Sequence, residues 1–344
     1  MPSLDGLRIR FLCIPDVDKA IGGVKQIYRQ VEHLVRNKVD AAVITEFDGF
    51  RPSWFVSNAP TLSLENANKL GEFSSVETIL VVPETYLTVN FASIRGFDLS
   101  ALPRVVFNQN AYYSFGDLPF NSSNYLSGFY SGPNVLQTLS ISEDTHRFLS
   151  VNLAMQDVNI SRIVNSIEPL FAPDKNKSNV MHWMPRKNPN HVQAVLASLS
   201  QSSLANSAGW TGKPLEGLPH SLVADALNKA KIFLSFGHPE GFGLPVAEAM
   251  ASGCWVIGYS GLGGRELFRF GGSHEITYGD WSSFVLAIQD AFNMFFSKPR
   301  QTSFILQRQS EIIRSLYSTQ AEEISILSAW EYISKKYYNW LSLR

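Results

Sequence analysis

The stretch GHPEGFGLPVAEAMASGCWVIGYSG, residues 237 to 261, joins a glycine turn to a helix and then to an apolar run. Gly241 and Gly243 allow the backbone to turn sharply and to approach a ligand closely. Pro245 suits the first turn of a helix, and Gly253 can end that helix. We therefore predict a loop and a helix whose N-terminus faces a ligand site.

The start of this helix predicts an anion site, since its unpaired backbone N–H groups, from about Leu244 to Ala247, lie at the positive end of the helix dipole. A pyrophosphate is the anion we expect there. Glu240 precedes the turn and Glu248 lies one helical turn inside. Carboxylates accept hydrogen bonds from sugar hydroxyls, so Glu248 suits a ribose diol and Glu240 a second sugar. The pattern favours a nucleotide-sugar site.

Composition and charge exclude several classes of function. The chain has 344 residues, 45% hydrophobic and 17% charged, and this length favours two domains. A net charge of -1 gives no overall attraction to nucleic acid or to an anionic membrane. Cys13 and Cys254 lie in apolar runs, and we expect reduced, buried thiols in a cytoplasmic protein. No apolar run approaches the ~20 residues of a membrane span, so neither a membrane span nor export is expected.

Apolar runs alternate with helical patterns along the whole chain. The predicted strands are 7–14, 40–45, 78–82, 104–107, 135–141, 179–183, 230–236, 254–258 and 275–278. The predicted helices are 24–36, 189–202, 220–229, 245–252 and 281–296. This alternation predicts two α/β domains, each with a parallel sheet covered by helices, with a boundary near the polar stretch 172–179 and a ligand cleft between them.

The helix predicted at 24–36 has one apolar stripe and a polar face that carries Lys25, Arg29 and Arg36. A solvated helix face is the simpler interpretation. The alternative is docking onto an acidic acceptor or a membrane surface.

At these residues the sequence resembles the retaining glycosyltransferases of family 4, which have the GT-B fold of two facing Rossmann-like domains. Their hallmark is a glutamate, seven residues and a second glutamate, within a segment like PEGFGLPVAEAMASG at 239–253. Three further segments resemble the family in the same order along the chain. They are IGGVKQIYRQVEHL (21–34), ISEDTHRFL (141–149) and VNSIEPLFAP (164–173).

The resemblance implies an organisation into three parts. Residues 1–165 would form an acceptor-side Rossmann-like domain, and residues 166–320 a nucleotide-sugar-binding Rossmann-like domain. Residues 321–344 would form a C-terminal helix that packs back toward the N-terminal domain.

The resemblance also implies roles for individual residues. Glu240 would contact the donor hexose and Glu248 the ribose, while the amides of Gly241 to Leu244 would bind sugar hydroxyls and phosphates. The substrate-binding residues expected are Gly22, Gly23, Gly241, Phe242, Gly243, Leu244, Pro245 and Glu248. The catalytic residues expected are Glu240, Lys187, Arg186 and Asn110.

Two departures from the family concern catalysis. Family members carry an arginine and, five residues later, a lysine that neutralise the donor phosphates. If Lys187 is that lysine, His182 occupies the arginine position, and Arg186 substitutes only if the bend at Pro185 breaks the alternation of the strand. Many members have a histidine near the reacting sugar, where this chain has Asn108-Gln109-Asn110. An asparagine can position a hydroxyl but cannot act as a general base.

Two acidic features have alternative interpretations. Asp16-Val17-Asp18 matches a metal-binding Asp-x-Asp pattern, but a surface turn explains it equally well, and we expect no metal. Glu84 follows a predicted strand, at an edge where α/β ligand sites form, yet a solvated loop residue is the preferred interpretation.

The sequence therefore predicts a cytoplasmic retaining glycosyltransferase that moves a hexose from a UDP-linked donor such as UDP-glucose to a saccharide or lipid-linked acceptor in polysaccharide biosynthesis. No cofactor and no nucleic acid are expected, and the basic face of helix 24–36 would allow peripheral contact with the inner face of a membrane. The alternative is a catalytically idle relative that holds a nucleotide sugar as a sensor or partner subunit.

Overall fold

The computed structural model describes residues 4–115, 123–201 and 209–344, and the chain divides into two compact units. The first unit comprises Met1–Val164 together with Glu322–Arg344. The second unit comprises Asn165–Ala321. Each unit has its own sheet and its own apolar core.

The first unit contains a seven-stranded parallel sheet in the order β3-β2-β1-β4-β5-β6-β7. Its strands are β1 (Arg8–Leu12), β2 (Asp40–Thr45), β3 (Thr61–Ser63), β4 (Thr78–Pro83), β5 (Arg104–Asn108), β6 (Val135–Ser140) and β7 (Ile160–Arg162). Helices cover both faces of such a sheet, so its central strands are continuous apolar runs. All six residues of β4 are buried.

The second unit contains a five-stranded parallel sheet in the order β12-β11-β10-β8-β9. Its strands are β8 (Ser178–Trp183), β9 (Thr211–Pro214), β10 (Ala230–Ser235), β11 (Trp255–Gly258) and β12 (Ser273–Glu275). The order reverses at β8 and β10, because the chain continues to β9 on one side and to β11 and β12 on the other. The carboxyl ends of strands at such a reversal are the usual ligand site of α/β sheets.

Helices connect the strands in both units. In the first unit they are α1 (Gly22–Arg36), α2 (Leu64–Lys69), α3 (Ser123–Ser131) and α4 (Glu143–Asn152). In the second unit they are α5 (Pro189–Ser200), α6 (His220–Lys229), α7 (Leu244–Ala251), α8 (Trp281–Ser297) and α9 (Pro299–Leu316). The last helix is α10 (Thr319–Ser342), whose residues from Glu322 onward belong to the first unit.

Helix α10 packs against β1 and α1 of the first unit. The ring of Trp330 is fully buried, with its centroid 6.2 Å from that of Phe11. Glu322 lies 2.9 Å from Nε2 of His33 and 3.3 Å from the guanidinium of Arg29. Of the polar face predicted to be solvated, Arg36 is exposed, whereas Lys25 and Arg29 are only partly exposed and Arg29 contacts Glu322.

Most predicted elements are present, with some differences. The strand predicted at 275–278 is displaced, since β12 spans Ser273–Glu275 and the chain turns at Gly279 before α8. The short strands β3, β7 and β9 carry no clear period in the sequence, and β9 is fully exposed. Of the two cysteines, Cys254 is buried but Cys13 is partly exposed, so the expectation of a buried thiol is wrong there. Among the described helices, none is long and apolar enough to cross a membrane.

Candidate functional site

The turn after β10 is formed by glycine and proline. Gly243 has a φ of 85°, a left-handed conformation that glycine adopts without strain, and it is the N-cap of α7. Pro245 lies in the first turn of that helix, where its missing N–H costs nothing. The predicted turn and helix start are therefore present, with the helix beginning at Leu244.

The backbone of this turn presents four consecutive N–H groups. Within the described part of the chain, the N–H groups of Gly241, Phe242, Gly243 and Leu244 have no hydrogen-bond acceptor, although the first three residues are buried. The N–H groups of Val246 and Ala247 already donate to the carbonyl of Gly243, at 2.9 and 3.2 Å. The expectation of free N–H groups from Leu244 to Ala247 is therefore wrong beyond Leu244, and the free donors lie in the turn. Buried N–H groups without a partner are costly, which favours a bound acceptor.

A second loop, at 260–264 after β11, holds the first in place, a role that was not predicted from the sequence. The N–H of Glu240 donates to the carbonyl of Gly261 at 2.8 Å, and the N–H of Gly263 donates to the carbonyl of Glu240 at 3.1 Å. Gly261 has a φ of 65°, and a Cβ on Gly263 would collide with the backbone of Gly241. The run Gly-Leu-Gly-Gly was the sequence signal for this close approach.

Two predicted catalytic residues contact each other. Nζ of Lys187 lies 2.9 Å from Oε1 of Glu240 and donates to the carbonyl of Pro239 at 2.8 Å. Both side chains remain about a quarter exposed. Arg186 is exposed and lines the same pocket as Lys187, because the chain turns at Pro185 after β8. The alternation of the strand therefore does not separate the two cations.

The pocket lies where the order of the second sheet reverses. Part of its lining comes from the loops after three strands. The residues are Arg186 and Lys187 after β8, Gly237 and Glu240 after β10, and Ser260 after β11. Gly243 and Pro245, at the start of α7, complete it. Two cations, a helix N-terminus and the free N–H group of Gly243 thus line one space, which suits a polyanion.

His182, at the position of the family arginine, does not line this pocket. It lies within β8 and is buried, and its Nδ1 donates to the carbonyl of Lys213 in β9 at 2.8 Å. Burial lowers the pKa of His182, which favours the neutral ring.

Glu248 lies one turn inside α7, as predicted, and belongs to a chain of three polar side chains. Its Oε1 is 3.0 Å from Nε2 of His220, and Nδ1 of His220 is 3.3 Å from Oε2 of Glu168. His220 begins α6, and Glu168 lies in the segment that opens the second unit. Neither was singled out as a site residue, and nothing in local spacing joins them to Glu248.

In the first unit, Glu84 at the end of β4 is buried, so its interpretation as a solvated loop residue is wrong. Its two carboxyl oxygens accept from the backbone N–H groups of Gln109 and Asn110, at 2.8 and 3.0 Å. Burial raises the pKa of Glu84 to about 7. The carboxyl group thus fixes the loop after β5, and Oδ1 of Asn110 accepts from the N–H of Tyr112 within that loop.

The remaining predicted residues of the first unit also lie at loops after strands. Gly22 and Gly23 begin α1, and the side chain of Gln109 packs so closely that a Cβ on Gly23 would lie 2.6 Å from its Oε1. Asp16 accepts from the N–H groups of Glu46 and Phe47, at 2.8 and 2.9 Å. Asp18 accepts from the N–H and the hydroxyl of Ser53. Both aspartates therefore anchor the loop after β2.

Part of the chain matches a family model, and the whole fold matches solved structures. Residues 213–301, which include the turn and α7, match the model of a family described as glycosyl transferases group 1. The chain has the fold of a glycosyltransferase from Rickettsia africae ESF-5, with a TM-score of 0.67 at 12% identity over 95% of this chain and 98% of that one. Two Rossmann-like domains with parallel sheets, the GT-B fold, are thereby confirmed.

Two further matches have more specific names. The chain is 25% identical over 214 residues to an alpha-1,6-glucosyltransferase of Actinobacillus pleuropneumoniae serotype 7 (strain AP76). That match covers 60% of this chain and only 59% of the relative. Anabaena HepE, whose structure holds UDP and glucose, superposes with a TM-score of 0.68 at 15% identity, over 94% of this chain and 99% of that one. Together, these matches show which proteins the chain is similar to, and the structural ones establish its fold.

Proposed function

We propose that this protein is a retaining hexosyltransferase of glycosyltransferase family 4, in which Glu240 and Glu248 form the Glu-x7-Glu motif. The donor is a UDP-linked hexose, with UDP-glucose as the first candidate. The acceptor is a saccharide or glycoconjugate in polysaccharide biosynthesis. The glucosyltransferase relative and the UDP complex of HepE support this donor.

The four free N–H groups of the turn carry the proposal. Three of the four residues are buried, and the turn joins the N-terminus of α7 to Glu240, which contacts Lys187. A diphosphate supplies the acceptors that these donors lack, and the helix dipole adds to the attraction. Glu240 and Glu248 flank the turn and are hydrogen-bond acceptors for the hydroxyls of the two sugars that lie on either side of the diphosphate in a nucleotide sugar.

Catalysis then depends on positioning and charge. When the donor binds, Lys187 exchanges its contact with Glu240 for the phosphates, and Arg186 adds a second cation at the edge of the pocket. The bond between the anomeric carbon and the phosphate oxygen breaks, and the acceptor oxygen forms its bond on the same face. The acceptor proton passes to the departing phosphate. Cations and N–H groups stabilise the negative charge that develops, so neither a metal nor a cofactor is needed.

We assign acceptor binding to residues 1–165 and donor binding to residues 166–320. Residues 321–344 are assigned to the C-terminal helix that packs back toward the N-terminal domain. Gly22, Gly23 and Asn110 are the proposed substrate contacts of the first part, with Asn110 positioning a hydroxyl. For a lipid-linked acceptor, the basic face of α1 would contact the inner face of a membrane from the cytoplasm. Only part of that face is available, because Arg29 contacts Glu322 whereas Arg36 is exposed.

The test is an assay of sugar transfer. The full chain is incubated with UDP-glucose and related donors, and release of UDP is followed with and without candidate oligosaccharide acceptors. Acceptor-dependent release that is lost in Glu240→Gln supports the proposal. Glu311→Gln, an exposed change in α9, is the matched control. Absence of both binding and turnover for every nucleotide sugar would refute it.

A catalytically idle nucleotide-sugar-binding protein is the second candidate. It is favoured by His182, which is hydrogen-bonded to Lys213 rather than lining the pocket, and by Asn110, which cannot act as a base. The two candidates differ in the assay, since an idle relative binds UDP-glucose but releases no UDP with any acceptor.

A further inference from the structure

We infer that His220 is a positioning residue of the donor site, which in its protonated form holds Glu248 for the ribose and strengthens the binding of the nucleotide diphosphate. The inference rests on the proposed function, because it concerns the same pocket. Glu168 contacts the other ring nitrogen of His220, on the side opposite Glu248.

The geometry places a carboxylate against each ring nitrogen. Nε2 of His220 is 3.0 Å from Oε1 of Glu248, and Nδ1 is 3.3 Å from Oε2 of Glu168. A neutral imidazole has a single N–H and can donate to only one of them, whereas the imidazolium donates to both. The ring of Phe171 lies edge-on at 5.0 Å, which restricts rotation of the imidazole.

The charges around the ring favour its protonated form. Glu168 faces it from the segment that opens the second unit, and Glu248 faces it from α7. Both carboxylates are only 13 to 25% exposed, so water screens these contacts incompletely. Opposite charges this close stabilise the imidazolium.

Protonation of His220 has a consequence for the ligand. Glu248 is needed as an acceptor for the ribose diol, but its negative charge also repels the diphosphate bound at the start of the same helix. Since only Oε1 of Glu248 contacts His220, Oε2 stays available to a hydroxyl. The imidazolium offsets the charge while it fixes the orientation. Donor affinity is therefore higher with His220 protonated, and it falls as pH rises through the titration of the ring.

The experiment is calorimetry of UDP-glucose binding to the full chain, without acceptor, from about pH 5.5 to 8.5, the range in which imidazole titrates. UDP-glucose is the probe because its diphosphate, unlike the terminal phosphate of UDP, has no ionisation near neutral pH. We expect affinity to fall about tenfold across this range, a typical coupling between two sites. Proton uptake on binding, measured in buffers of different ionisation enthalpy, should accompany it.

Variants separate this role from a purely structural one. His220→Gln keeps a donor but no charge, so its affinity should stay at the high-pH level at every pH, without proton uptake. Glu168→Gln, which is not assigned a contact with the donor, should move the transition to lower pH. His146→Gln is the matched control, since it removes a histidine 3.1 Å from Asp157 in the first unit and should keep the wild-type profile.

The outcomes distinguish failure of the role of His220 from failure of the proposed function. A wild-type profile that is flat, or that persists unchanged in His220→Gln, overturns the role of His220 while the donor site stands. A wild-type chain that binds no UDP-glucose at any pH overturns the proposed function, and the role of His220 with it. Unfolding curves of each variant show whether it folds, and Glu168→Gln gives an independent test if His220→Gln does not.

Discussion

The polar groups at the carboxyl edges of the first and second sheets (the first edge and the second edge) differ in whether they already have hydrogen-bond partners. At the edge of the second sheet, the N–H groups of Gly241 to Leu244 have no acceptor in the described chain, and Lys187 and Glu240 remain partly exposed. At the edge of the first sheet, Glu84 is buried, both its oxygens accept backbone N–H groups, and Asn108 donates to the hydroxyl of Tyr130 at 2.7 Å.

This difference indicates that the two sheet edges have different functions. Buried donors without a partner lower stability unless a ligand supplies an acceptor, and partly exposed charges stay available to that ligand, so the edge of the second sheet is suited to binding an anion. Paired, buried groups fix a loop and offer a ligand little that is not already in use. Substitutions of Lys187 and Glu240 should therefore affect catalysis more than folding, and substitution of the buried Glu84 should affect folding more than binding.

The largest effect is expected for Glu240→Gln. This change should lower sugar transfer ~10²-fold or more, because the lost contact strengthens as charge develops on the sugar. Affinity for UDP should change little, because Lys187 is freed from its ion pair and can still reach the phosphates. Steady-state kinetics and calorimetry measure the two quantities. Near-normal turnover beside the Glu311→Gln control would remove Glu240 from the mechanism.

Lys187 and Arg186 test whether two cations share the phosphate site. Lys187→Ala and Arg186→Ala should each cost roughly 2 to 4 kcal/mol of transition-state stabilisation, the range for loss of one donor to a developing anion. His182→Ala should leave kcat/KM close to the wild-type value, because its ring contacts Lys213. The assignment of Arg186 fails if its removal leaves kcat/KM unchanged while His182→Ala depresses it.

Glu84 tests the first edge through the pH dependence of stability. Burial raises the pKa of Glu84 from 4.5 to about 7, so the folded state holds this proton more tightly than the unfolded chain does. The stabilisation is complete below pH 4.5 and is lost as pH rises through about 7. For this fully buried group the loss amounts to about 3 kcal/mol.

Urea unfolding of the wild type and of Glu84→Gln, at a series of pH values across this window, measures the effect. The variant cannot titrate, and its amide replaces one acceptor by a donor, so it should be less stable but without this pH slope. The difference between the two proteins should therefore shrink as pH rises. Parallel curves would show that Glu84 does not hold a proton in the folded state.

The sequence predicted the second edge better than the first, for a physical reason. Glycines, Pro245 and two glutamates lie within a few residues of one another, and the turn and helix start can be predicted from such neighbouring residues alone. The contacts of His220 with Glu248 and with Glu168 depend on how α6, α7 and a distant segment pack, which a local sequence pattern cannot predict. Glu84 looked solvated because its acceptor role depends on the loop after β5.

Asp16 and Asp18 give the smallest expected effect. Each accepts backbone N–H groups of the loop after β2, so their charges are used in holding that loop. Asn at position 16 keeps one acceptor oxygen, and Asp16→Asn should lower the free energy of unfolding by about 1 kcal/mol, the net value of one hydrogen bond.

Transfer should be unaffected by EDTA in the wild type and in the double variant Asp16→Asn, Asp18→Asn, because cations and N–H groups at the second edge neutralise the phosphates. Kinetics with and without chelator, beside urea unfolding of the same proteins, measure both effects. If chelator and the double substitution each abolished transfer, the two aspartates would bind a catalytic metal, and the loop after β2 would take part in the chemistry.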